Sequence, residues 1–130
     1  MAATLAPEVV MAWAIVHLRR ANQPIAIENV SGFFAKLREE NVEEVGRVAL
    51  TRLPRGLYSE DVEAFFGRLL AGGFATKFSP LLVNDKGIEL CRELISEESQ
   101  AHPEAVRKVA QVLGFDLSLI KSPAPQQKPA

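Results

Sequence analysis

Side-chain catalysis needs nucleophiles, acids and bases held close together, and this sequence spaces such residues poorly for it. His17 stands in an apolar run and His102 directly before a proline, far apart in the chain. Cys91 is the single cysteine, so it has no partner for an intramolecular disulfide or a metal knuckle. The acid pairs Glu39-Glu40 and Glu97-Glu98 lie in polar, exposed-looking runs. There is no Walker loop and no GxSxG, HExxH or GxGxxG motif, and Gly72-Gly73 follows a helical pattern whereas phosphate-cradling glycines precede one. These observations predict no enzyme, no metal and no cofactor. The side chains with a coherent chemistry are cations. Arg47, Arg52 and Arg55 cluster around a proline turn, Lys77 and Lys86 flank a later apolar run, and Tyr58, Ser59 and Arg68 fall between the two groups. Guanidinium, ammonium and hydroxyl donors of this kind contact phosphate oxygens. If the fold scatters them, they are solvated surface charges.

Bulk charge gives no help to a phosphate partner. The formal net charge is −1, with four bases against four acids in residues 1–40, seven against seven in 41–92 and four against five in 93–130. A nucleic-acid surface would have to be a local patch made by folding. With 130 residues, 48% hydrophobic and 24% charged, the chain has the makeup of one globular domain over residues 1–120, followed by a tail (121–130) whose SPAPQQKPA composition predicts disorder.

The elements that position these residues follow from periodicity. Pro7 suits a first helical turn, and VVMAWAIVHL is apolar on nearly every side, which predicts a helix over 7–21 that is either central or partly covered by a second subunit. Ten residues are too few for a membrane span of about 20, so no membrane segment is expected and the default location is cytoplasmic. PIAI (24–27) reads as a short strand or linker. Val30, Phe33, Phe34 and Leu37 predict a helix over 28–40. Asn41 and Glu44 have the spacing of a capping box, and Val42, Val45 and Ala49 predict a helix over 42–52, with a turn at 52–56. Ser59 caps a helix over 59–71 whose Val62, Phe65, Phe66, Leu69 and Leu70 fill one face, and Gly72-Gly73 ends it. Asn84 or Asp85 caps the next helix, where Cys91 lies on a stripe with Ile88, Leu94 and Ile95 as a small buried hydrophobe. His102-Pro103 opens a last helix that stops at Gly114, and Phe115, Leu117 and Leu119 form a short strand or packed arm. ENVSGFFAKL (28–37) echoes EDVEAFFGRL (60–69), which reads as two amphipathic helices solving one packing problem rather than as a repeat array.

Residues 59–95 resemble the second half of a winged helix-turn-helix domain. The match lies in Leu69-Leu70-Ala71-Gly72-Gly73-Phe74, in a flap with strands at 74–78 and 81–83 around Ser79-Pro80, and in the entry Asn84-Asp85-Lys86-Gly87 into a capped helix. The resemblance implies a mainly α bundle of five to six helices with a small β-hairpin wing, a recognition helix at 59–71 and a supporting helix at 42–52. It also implies a DNA-binding regulator, here expected as a homodimer through its terminal helices, with Arg47, Arg52, Arg55, Tyr58, Ser59, Arg68, Lys77 and Lys86 near DNA. Against this, Glu60, Asp61 and Glu63 put three acids at the start of the recognition helix. The rival expectation is therefore a protein-interaction module that keeps the winged shape and binds no DNA.

Overall fold

The computed structural model describes residues 4–78 and 80–120; the expected disordered tail and Ser79 at the flap tip lie outside the described residues. Five α-helices and two β-hairpins follow in the order α1 (Pro7–Arg20), α2 (Ile27–Glu39), β1 (Thr51–Leu53), β2 (Gly56–Tyr58), α3 (Glu60–Ala71), β3 (Ala75–Phe78), β4 (Leu81–Val83), α4 (Asp85–Ala101) and α5 (Pro103–Leu113), with a final 3₁₀ turn at Leu117–Ile120. The fold is mainly α, with the expected hairpin wing after α3.

Helix α1 is the axis of the core. Every residue from 9 to 16 is buried, because α2, α3 and α4 all pack on it. Its all-round apolarity is therefore met inside one chain. Trp13 lies at its centre, with its ring 5.3 Å from that of Phe115. Phe115 reaches it because Gly114 adopts φ 74° after α5, which folds the chain back so that the Phe115 N–H bonds the Ala110 carbonyl at 3.0 Å. The C-terminal segment is thus a packed arm, with Phe115 also against His17 and Phe33.

The echoed segments become α2 and α3, and equivalent positions do equivalent work. Val30 and Val62, Phe34 and Phe66, and Leu37 and Leu69 are all buried. Ser59 caps α3 by accepting the Val62 N–H at 3.3 Å. Gly72 closes α3, and Gly73 at φ 83° releases the chain into β3. β3 and β4 pair antiparallel with an irregularity between Ala75 and Lys77. The wing is seated by Phe78 edge-on to Phe66 at 6.3 Å and by the Leu81 N–H donating to the Ile25 carbonyl at 2.9 Å. Of the 24–27 segment, residues 24–26 are thus a linker that offers the Ile25 carbonyl to the wing, and Ile27 opens α2.

Two glycine positions in the winged signature have different causes. At the entry to α4, Asn84 accepts the Gly87 N–H at 2.8 Å and donates to the Gly73 carbonyl at 2.7 Å. A Cβ on Gly87 would stand 2.3 Å from the Phe74 carbonyl oxygen, so only glycine fits where this helix starts against the wing. Gly67, in the middle of α3, has nothing within 4 Å of where a Cβ would be. Packing inside the fold does not require it.

One expected element is absent. Residues 42–52 do not form a helix, and with it goes the supporting helix assigned there. Asn41 takes φ 58° and turns the chain out of α2. Val45 then bridges Leu5 in parallel, with the Leu5 N–H on the Glu44 carbonyl at 2.6 Å and the Gly46 N–H on the Leu5 carbonyl at 2.8 Å. The expected capping partner Glu44 instead meets Lys108 of α5 at 3.2 Å. The stretch read as a turn at 52–56 belongs to the hairpin β1–β2, with Thr51 opposite Tyr58 and Leu53 opposite Gly56. Residues 40–59 therefore separate α2 from α3, where a helix-turn-helix has a turn of about 3–4 residues.

Candidate nucleic-acid interface

Both hairpins contact the chain around the start of α2. The wing approaches through Leu81 on Ile25, and β1–β2 approaches through its tip, where Arg55 Nε lies 4.0 Å from a Glu28 carboxylate oxygen and Gly56 lies over the Glu28 side chain. Ile25 and Glu28 are three residues apart, so by chain length their Cα atoms are within about 11 Å. This junction is the start of α2, which no side chain caps. Its unsatisfied N–H groups and helix dipole give it partial positive character.

Three of the eight residues expected near DNA lie on the two hairpins. Arg52 is on the exposed strand β1, Arg55 is at the hairpin tip with its side chain 82% exposed, and exposed Lys77 lies on β3 opposite Leu82. The other five go elsewhere. Arg47 is exposed on the loop before β1, at the rim of a cleft beside α2. Lys86 is in the first turn of α4, at the base of the wing. Arg68 is in the last turn of α3, 3.5 Å from Glu8 of α1 and with its guanidinium 5.7 Å from the Phe65 ring centre. Ser59 is buried as the α3 cap, and Tyr58 donates its phenolic hydrogen to Glu63. That carboxylate pushes the phenol up to about 12, with burial adding to the effect.

No known protein family, curated protein or solved structure matches the chain. The physical reading of the site rests on its own residues.

The acids at the start of α3 have work inside the fold that their sequence positions did not announce. Asp61 accepts the Ala49 N–H at 3.1 Å, and Glu63 holds Tyr58. Together they fasten the loop before β1 and the end of β2 to the first turn of α3. Their charge also suits that helix end. Among the described residues no group of three or more His, Cys, Asp or Glu side chains is placed to hold a metal ion, and no helix is long and apolar enough to cross a membrane. Sequence reasoning missed the cleft entirely. It is about 490 Å³, between the second half of α2 and residues 41–48. Its signal was masked because Val42, Val45 and Ala49 read as a helical stripe.

Proposed function

We propose that the chain is a small DNA-binding protein that grips the duplex backbone with its two hairpins. The observation carrying this reading is that both hairpins, which bear Arg52, Arg55 and Lys77, contact the chain at or just before the uncapped start of α2. Phosphates are attracted both by such side chains and by a helix N-terminus. Glu28 stands at the same place and opposes them, and Arg55 is its partner. In this reading α3 faces the groove as the winged-helix resemblance implies, approaching by exposed Ala64 and half-buried Gly67, since Asp61 and Glu63 of its acidic first turn are occupied in fastening the loop and β2. Winged-helix membership, regulation of transcription and pairing of two chains belong to the same proposal.

A protein partner in place of DNA is the second reading. It is favoured by Gly67, an open mid-helix glycine on a helix whose exposed residues before it are acidic or small, Glu60, Asp61, Glu63 and Ala64. Close approach of another backbone would account for it.

The deciding experiment is the anisotropy of a labelled random-sequence duplex titrated with the protein over a range of salt. Three phosphate contacts predict a slope of log K against log salt of about −3, and neutralising Arg52, Arg55 or Lys77 should each reduce it by about 1. Absence of binding at low salt, or a slope near zero, removes the DNA reading and leaves the protein partner. Glu60→Gln separates the two further. It strengthens duplex binding if the start of α3 lies near phosphates, and it has no effect if that helix faces a protein.

A further inference from the structure

Strand β1 differs from the other three strands. All its residues are exposed, whereas β2, β3 and β4 each carry buried or half-buried ones, β2 against α2. Among the described residues β1 pairs with β2 on one side and with no strand on the other. Leu53 and Gly56 close a two-residue turn, and Thr51 lies opposite Tyr58. Such a turn is closed by a hydrogen-bonded pair, and alternation along an antiparallel ladder then turns the Arg52 N–H and carbonyl away from β2. Among the described residues no backbone–backbone bond from outside the hairpin reaches residues 50–55. The outer edge of β1 is thus an open main-chain donor and acceptor in solvent, on a strand packed on neither face.

The side chains along this edge select what pairs with it. VGRVALTRLPRGLYS, residues 45–59, holds three arginines and no acid. Arg52 projects from one face of β1, and Thr51 and Leu53 from the other, with Leu53 37% exposed. We propose that β1 takes up, by strand addition, an extended segment of another protein in which acidic and apolar residues alternate. The main chain of that segment bonds the Arg52 N–H and carbonyl, an acid lies across from Arg52, and an apolar side chain covers Leu53. A second copy of this chain is the poorer occupant. Two β1 strands laid antiparallel about their centres set Arg52 against Arg52, and like charges directly opposite destabilise a pair. The same charge keeps the bare edge from self-association. The inference goes beyond the duplex reading, which uses arginine side chains and not the main chain, and it stands without it.

The test titrates the full chain with an end-blocked hexapeptide of alternating valine and glutamate, followed by amide chemical shifts and amide hydrogen exchange. Shifts should centre on residues 50–53, and exchange of the Arg52 N–H should slow. A fully N-methylated form of the peptide, which has no main-chain donors, and a form with lysine in place of glutamate should each bind at least about tenfold more weakly. Arg52→Glu should reverse the preference between the glutamate and lysine peptides. Equal binding of the N-methylated peptide, an unchanged preference in Arg52→Glu, shifts centred elsewhere, or no binding of the glutamate peptide up to millimolar concentration would each overturn the proposal. Protection of Arg52 that grows with protein concentration alone would give the edge to a second copy and overturn it as well. None of these readouts involves DNA, so failure here and failure of the DNA reading are distinguishable.

Discussion

The same substitution should have opposite effects at two glycines, and the difference tests the geometry on which the fold rests. Gly67 is inside α3 with empty space where a Cβ would go. Gly67→Ala therefore adds helix propensity and meets no obstacle, a gain of about 1 kcal/mol. For a chain of this size that is a rise of roughly 3–5 °C in Tm. Gly87 is also helical, in the first turn of α4, but its added methyl would be 2.3 Å from the Phe74 carbonyl oxygen and 3.3 Å from Val83 Cβ. Both obstacles belong to the wing, and the oxygen is backbone that cannot rotate away. Relief requires α4 and the wing to part, which stretches the Asn84 N–H to Phe74 carbonyl bond, now 3.0 Å, and the Asn84 cap on the Gly87 N–H. Losing these at about 1 kcal/mol each, with about 1 kcal/mol of overpacking, puts Gly87→Ala near 3 kcal/mol destabilising. Urea denaturation followed by circular dichroism measures both, and the midpoints should move in opposite directions at unchanged slope. A Gly87→Ala protein as stable as the parent would refute the account of how α4 starts. A destabilised Gly67→Ala would mean that α3 is covered by something its own chain does not supply.

Three further outcomes follow from single contacts. Tyr58 is the only tyrosine, so its phenolate absorbance can be read alone; it should titrate near pH 12 and shift back toward 10 in Glu63→Gln. Because the folded-state value is raised, the bond to Glu63 stabilises the fold fully below pH 10 and is lost as pH climbs to about 12, so alkaline unfolding should begin earlier in the Gln variant. Cys91 is fully buried and burial pushes its thiol up to about 12, so an aromatic disulfide reagent should leave it unlabelled in native protein and label it completely in urea; prompt native labelling would contradict the core arrangement. Asn84→Ala removes both the α4 cap and the bond to the Gly73 carbonyl and should cost about 2 kcal/mol, whereas Asn84→Ser, which keeps a capping oxygen, should recover about half of it.

What could be read from the sequence depended on whether local chemistry decided the structure. Ser59, Gly72-Gly73 and Asn84 act on residues within a turn of themselves, and each stands where it was expected, with the wing strands between them. The stripe Val62, Phe65, Phe66 and Leu69 was legible for the same reason, since an apolar face at helical spacing needs only some core to pack on. The site was less legible. Arg52 and Arg55 belong to one hairpin and Lys77 to the other, and what relates the two hairpins is that both contact the chain around the start of α2. Arg47 was grouped with them on proximity alone, and the cleft takes it instead.

Residues 41–50 show how apolar residues at helical spacing can still give the wrong element. Val42 and Val45 of the expected stripe are buried, but its third member, Ala49, is exposed and Val48 is buried instead. A helix there would have needed its own cap and a neighbour for its stripe. The chain meets the same burial differently, because Leu5, far away in sequence, lends its N–H and carbonyl to residues 44 and 46. Backbone groups satisfied by that bridge, by Asp61 on the Ala49 N–H and by the Val48 carbonyl on Arg38 leave no advantage to an internal helical ladder. β-branched valines also favour the extended alternative. The consequence is functional as well as structural. An extended segment leaves a cleft against α2 where a helix would have filled it, and it continues directly into the strand that carries Arg52.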